Sequence, residues 1–359
     1  MRLFSRLASA LAMLFAACAS CPPSPSTPAS LPVPPPVEAP RAPASPSAGD
    51  EIVICGRRVH TGTPVVLWTE PPRYDAYATA PRFAARTDDP RAREPRYQPG
   101  RVEKRPRPSP AGASAPGAVA IADASRVLVD PACDEPRRLA EVVDQLVLHY
   151  DACGLSRTCF AVLQDERRLS VHFLLDVDGT IYQTLDLRET AWHATKANTR
   201  SIGVEIANVG AYRPGATSAL EAWYARDAGG AYIRVPERVT ESGVRRKGFV
   251  GRPARDALVR APVQGDELAQ YDFTPEQYDA LARLAAALCR ELPRIRPDAP
   301  RDASGRVRDT ALSDEEWASF RGILGHFHVQ TNKVDPGPAF DWERVLAAVR
   351  AHLRESPPR

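Results

Sequence analysis

Eleven of the 27 residues at positions 22–48 are proline, and most of the others are alanine or serine. Such a stretch offers too few apolar side chains to bury a core, and it stays extended and solvated. It divides the chain into a short head, a spacer and a folded remainder. The chain holds 36 prolines among 359 residues, about twice the usual share, so the length does not translate into two full domains. One large domain plus tethering sequence is expected. Residues are 43% hydrophobic and 25% charged, a globular mixture, and 47 basic against 44 acidic side chains leave only +3. That balance gives no electrostatic footprint for nucleic acid. No apolar run approaches the ~18 residues needed to span a bilayer, which excludes a polytopic membrane protein.

The head reads as an address. Arg2 and Arg6 precede eleven small and apolar residues, 7–17, the length of a signal-peptide core and too short for a span. The run ends in Phe15-Ala16-Ala17-Cys18, which resembles the lipobox of bacterial lipoproteins, whose cysteine is lipidated as the new N-terminus. Phe15 stands where leucine is usual, and ordinary secretion with cleavage nearby is the alternative. Either way the mature protein is exported to the periplasm or cell envelope. With lipid on Cys18, residues 19–49 are a spacer from a membrane anchor, in the outer membrane where there are two membranes. Disulfides are permitted in that compartment. Cys21, Cys55, Cys133 and Cys289 allow three pairings or free thiols.

Residues 50–126 are poorly patterned, with apolar stretches only at 52–55 and 64–68, and read as a small appendage or partly ordered linker. From about Val127 the texture changes. Gln-Leu-Val-Leu-His-Tyr at 145–150 reads as a buried strand. Residues 170–185 read as two strands joined by Asp178-Gly179, a two-residue hairpin signal. Residues 201–208 form a third β-rich run. Thr274-Pro275-Glu276-Gln277 is a capping box with proline at the first helical position, Ser313 to Glu316 repeats the start signal, and a last helix begins near Asp341. Strands first and helices afterwards predict an α/β domain, a central mixed sheet flanked by helices, over 127–356. Within it, residues 209–272 have weak periodicity and form an insertion too long for a simple connection.

His149, His172 and His326 lie in or beside apolar β-like segments. Taken singly, a strand histidine is more often a satisfied core residue than a ligand. The segment 325–342 changes that. It contains Gly325-His326, then Lys333-Val334-Asp335-Pro336-Gly337-Pro338-Ala339-Phe340 and a following helix. With Val147-Leu148-His149-Tyr150, Val171-His172-Phe173, Trp192-His193-Ala194 and Gly203-Val204-Glu205 upstream in order, the chain resembles the zinc N-acetylmuramoyl-L-alanine amidases of the AmpD-like and peptidoglycan-recognition-protein superfamily. The resemblance covers about 127–356 and is silent on the first 120 residues.

It implies a zinc ion held by His149, His326 and Asp335, a donor set that leaves a fourth position for water. It implies Glu205 as the base that orients and deprotonates that water, with an exposed strand carboxylate as the alternative. Lys333 would face the reacting carbonyl and stabilise the oxyanion, with a solvated loop lysine as the alternative. Trp192 and His193 would line the substrate groove, His193 in contact with substrate or behind a ligand. His172 is read as structural. His328 points the same way as His326 if the segment is extended and could then compete as a ligand. The nine-residue interval from His326 to Asp335 is one shorter than in the AmpD branch, which affects the loop rather than the ligands. Val171 stands where some phage relatives carry a tyrosine, so their tyrosine-assisted variant is not expected. Cys153 and Cys159 match the recognition proteins' small disulfide.

The expected activity is therefore hydrolysis of the amide between the lactyl group of N-acetylmuramic acid and L-alanine, on peptidoglycan or muropeptides, by a monomer anchored near the wall. A non-catalytic peptidoglycan-binding protein and a zinc peptidase acting within the stem peptide are the rivals.

Overall fold

The computed structural model describes residues 49–80, 82–83, 94–101 and 135–355. The leader, Cys18, Cys21, nearly all of the spacer and Cys133 lie outside them. In chain order, β1 (Glu51–Ile54) and β2 (Arg57–His60) form an antiparallel hairpin, followed by β3 (Val65–Leu67) and β4 (Tyr97–Gln98). Helix α1 (Glu135–Val142) leads into β5 (Gln145–Tyr150). Helix α2 (Ser156–Ala161) runs on into a π-helical turn, and β6 (Phe173–Leu175), β7 (Ile181–Gln183) and β8 (Thr190–Ala191) follow. A 3-10 segment, Thr195–Arg200, precedes β9 (Ser201–Ile206). Then come α3 (Ser218–Trp223), β10 (Tyr224–Asp227), β11 (Gly230–Ile233), β12 (Val259–Val263), β13 (Asp266–Gln270) and α4 (Pro275–Glu291). The chain ends in α5 (Asp314–Ser319), β14 (Gly322–Gly325), the short α6 (His326–Val329) and α7 (Trp342–Arg354).

Six strands form the central sheet in the order β14-β5-β9-β6-β7-β3. The four from β14 to β6 are parallel, β7 runs antiparallel to β6, and β3 is parallel to β7. This is the mixed sheet flanked by helices that the sequence suggests. Parallel strands are covered on both faces and read as unbroken apolar runs. Leu146, Val147 and Leu148 accordingly all have zero exposure. Leu146 and Leu148 face a core shared with Leu281, Leu284, Leu288, Val345 and Val349 of α4 and α7. Val147 points the other way, to Leu324, Ala194, Ala197 and Leu312.

Helix α4 starts where its capping box sits. Thr274 Oγ1 accepts from the Gln277 amide at 3.1 Å, and the Gln277 side chain accepts from the Thr274 amide at 2.9 Å. Ser313 and Glu316 do the same for α5, and Asp341 caps α7. Each cap is worth about 1 kcal/mol. The β6–β7 turn needs Gly179, whose φ is +82°.

Two expectations are corrected. Part of the region from 50 to 126 is built into the domain: β3 is the outer strand of the central sheet, pairing Val65 with Ile181, and β4 pairs with β8. Three-residue strands are too short for a readable period. Helices α1 and α2 also fall among the strands rather than after them. The 209–272 insertion is ordered, two hairpins (β10–β11 and β12–β13) and α3 around a small core of Val209, Leu220, Trp223, Phe249 and Tyr271. Among the described residues no helix is long and apolar enough to cross a membrane.

Candidate metal centre

The parallel strands deliver the key side chains to one edge. In the β5–β9 register His149 is the partner of Glu205, and Gly325 pairs with Leu148. His326 therefore emerges beside His149, where β14 gives way to α6. The loop after α6 returns as the Phe327 amide donates to the Asp335 carbonyl at 3.1 Å, bringing Asp335 to the same point. His149 Nδ1 and His326 Nδ1 are 3.0 Å apart, and Asp335 Oδ2 lies 2.8 Å from the first and 3.0 Å from the second. All three residues are buried, and no other group of three such side chains gathers among the described residues.

The outer ring nitrogens fix the tautomers. His326 Nε2 is 2.7 Å from Gln330 Oε1, which only accepts, so Nε2 carries the proton. His149 Nε2 is 3.0 Å from His193 Nδ1, His193 Nε2 is 3.2 Å from Ser201 Oγ, and that hydroxyl donates to the Ala197 carbonyl at 2.7 Å. Read back from the carbonyl, Ser201 accepts from His193 and His193 accepts from His149. Both Nδ1 atoms are then bare lone pairs aimed at a carboxylate. Two lone pairs and an anion converging in a buried site are a donor set for a cation, held by the outer hydrogen bonds that metal-binding histidines use.

Electrostatics agree. Burial, helped by the neighbouring His326, pushes His149 down to about 4, keeping its ring neutral. Burial alone would raise Asp335, but the adjoining rings of His326 and His149 outweigh it and hold the carboxyl below its usual range. Glu205 moves the opposite way: burial, then the charges of Asp335 and Asp151, push it well above the carboxylate range. Its Oε2 is buried without a hydrogen-bond partner. Lys333 is near enough for its charge to act on both His149 and Glu205.

The remaining sequence-nominated residues separate. Trp192 is 37% exposed at the surface. His193 stands behind His149, with Asn198 Oδ1 accepting from its amide at 3.1 Å. Its ring lies against bare backbone, since a Cβ on Gly203 would come within 2.6 Å of His193 Nδ1. His172 is structural, fully buried and accepting from the Gly203 amide at 3.1 Å. His328 is no competitor. The segment is helical rather than extended, which turns a side chain two residues on to the opposite side. Its Nε2 donates to the Arg308 carbonyl at 2.9 Å. The expected Cys153–Cys159 disulfide is corrected: both are thiols. A hydrogen bond with Cys153, then burial, holds Cys159 well above the usual thiol range. Sequence reasoning missed Ser201, Gln330 and the half-buried Arg101, whose guanidinium donates to the Ser201 carbonyl at 3.0 Å. An amide or hydroxyl that acts through another residue leaves no periodic signal.

Comparison with known proteins places this geometry. The model of the N-acetylmuramoyl-L-alanine amidase family, Amidase_2, matches residues 139–338, more than half of the 359-residue chain. No curated protein matches. Among solved structures, a selenomethionine derivative of AmpD is 20% identical, over 58% of this chain and 86% of that one, with a TM-score of 0.29. AmiD from E. coli, solved with anhydro-N-acetylmuramic acid-L-Ala-D-gamma-Glu-L-Lys, is 20% identical over 57% of each chain, TM-score 0.30. LysC, an N-acetylmuramoyl-L-alanine amidase from Clostridium intestinale URNW, is 14% identical over 59% of this chain and 88% of its own, TM-score 0.29. The family match runs unbroken from before His149 to beyond Asp335, and the chain therefore belongs to the N-acetylmuramoyl-L-alanine amidases of type 2.

Proposed function

We propose that the protein is a zinc amidase that cleaves the amide between the lactyl group of N-acetylmuramic acid and L-alanine in peptidoglycan or its fragments. The observation that carries this reading is the convergence of the two Nδ1 atoms and the Asp335 carboxylate beside a half-buried glutamate whose Oε2 is buried and unpartnered. His149, His326 and Asp335 would hold the ion. A zinc ion there supplies Lewis-acid polarisation of the scissile carbonyl and acidifies water.

The chain's own groups do the rest. Glu205, its oxygen pre-stripped of partners, orients the attacking water, accepts its proton and returns that proton to the departing amine. A carboxyl raised by burial is suited to holding that proton between the two halves of the exchange. The Lys333 ammonium, whose charge reaches His149 and Glu205, would stabilise the negative charge that grows on the carbonyl oxygen. His193 and Gln330 keep the ligand lone pairs pointed inward. The family membership and the muropeptide bound to AmiD support a muramyl-peptide substrate. The reading extends to location: export through the leader and tethering through lipid on Cys18 would hold the domain at the cell envelope.

The test is product analysis. Chelated protein should release no stem peptide, and zinc should restore release. Mass spectrometry of digested muropeptides should show the whole stem lost from muramic acid. Shortened stems still attached to the sugar would instead make the protein a peptidase, and wall binding without any cleavage would make it a binding protein.

A further inference from the structure

The 209–272 insertion sends the β12–β13 hairpin onto the loop that carries His326, Lys333 and Asp335. At the hairpin tip Gln264 and Gly265 form a two-residue turn with φ of +56° and +80°. A left-handed backbone is natural for glycine and costly for glutamine, and such strain persists where something else fixes the residue. Here the side chain does so. Gln264 Nε2 shares its two hydrogens among the carbonyls of Phe327 at 2.8 Å, Gln330 at 3.0 Å and Lys333 at 3.3 Å. Its Oε1 accepts from the Ala311 amide at 3.0 Å, and its own amide donates to the Asp309 carbonyl at 2.8 Å. The Phe327 and Gln330 carbonyls are among those that the end of α6 leaves without helical partners. Beneath them Phe327 packs on Val263 and Leu268 of the hairpin.

We infer that Gln264 is a positioning residue for the reaction, and that the hairpin presenting it is a brace on the metal loop. One amide group ties together the carbonyl after the second ligand, the carbonyl of the residue that orients His326, and the carbonyl of Lys333. Lys333 is thereby gripped on both sides, since its amide donates to the Gln330 carbonyl at 3.2 Å. The inference rests on the zinc amidase reading, and it gives the insertion a purpose in that chemistry.

The experiment compares the full chain with Gln264→Met, which keeps the volume and removes the hydrogen bonds, and with Gln264→Gly, which also relieves the left-handed strain. Zinc affinity is measured by chelator competition without substrate, kcat and KM on a soluble muropeptide, and amide exchange over residues 327–334. Both variants should still bind one zinc. Exchange at the loop amides should accelerate about tenfold, and kcat should fall about tenfold with KM nearly unchanged. Wild-type kcat and exchange in both variants would overturn the brace. So would a change confined to KM, or a loss of kcat no larger than the unfolded fraction at the assay temperature. Wild-type protein that binds no zinc would instead sink the amidase reading and the brace with it.

Discussion

Opposite ends of the same strands treat a buried carboxylate in opposite ways. Just before β5, Asp144 is 3% exposed and meets a fork from Arg200 at 2.7 and 2.8 Å, with Arg321 at 3.2 Å and Arg294 at 3.4 Å. Just beyond the other end, Asp335 faces the imidazoles of His149 and His326 at 2.8 and 3.0 Å. The first acid has its cations built in. The second is paired with histidine rings alone, a donor set able to take a cation from outside the chain. Asp176 shows a third solution: among the described residues no cation is bonded to it, and burial pushes it up to about 8. The lesson is that burial of an acid says little until its neighbours are counted.

The largest effect should follow from removing the second acid. Asp335→Ala should lower kcat/KM by about 10⁴-fold or more through loss of metal, with zinc content read by atomic absorption, while apo-protein Tm changes little. Activity surviving with zinc still bound would show that the metal does not depend on this acid. Next comes Glu205→Gln, expected to reduce kcat by about 10²- to 10⁴-fold with zinc affinity intact. A variant that turns over normally would remove the proton carrier from the scheme.

The built-in cations give the contrasting result. Asp144→Ala leaves a partly buried arginine fork without its anion and should destabilise folding by about 3 kcal/mol, measured by urea titration, yet leave zinc affinity unchanged. If it weakened zinc as much as Asp335→Ala, the two ends would not be independent. The last contrast concerns Asp176. Its folded-state value lies above the ordinary carboxyl value of about 4, so the unfolded chain releases this proton first as pH rises. Its contribution to stability is complete below about pH 4 and fades through about pH 8. Tm should therefore fall from pH 5 to pH 8, and Asp176→Asn should flatten that slope. An unchanged slope would show the group is ionised in the native protein.

The convergence of His149, His326 and Asp335 was legible because the segments that carry them are compact motifs, and the central strands because unbroken apolar runs mark strands buried on both faces. The capping boxes at Thr274 and Ser313 named their helices correctly, since cap chemistry is local. What escaped detection depends on the folded backbone. His328 could be judged only once 326–329 was seen to be helical, and β3 was too short to show alternation. Gln264 and Gln330 act on carbonyls and ring nitrogens distant in sequence or hidden by the fold. The cysteine spacing brought Cys153 and Cys159 together correctly but carried no information on their oxidation state.

The close approach at Gly203 has a consequence for how this protein tolerates change. That residue binds nothing and holds no charge, yet even a methyl group there would push against the imidazole that backs His149. A tolerance map scored by activity would rank a silent stretch of main chain alongside the groups that perform the reaction. Its constraint is purely one of space, inherited from a neighbour once removed.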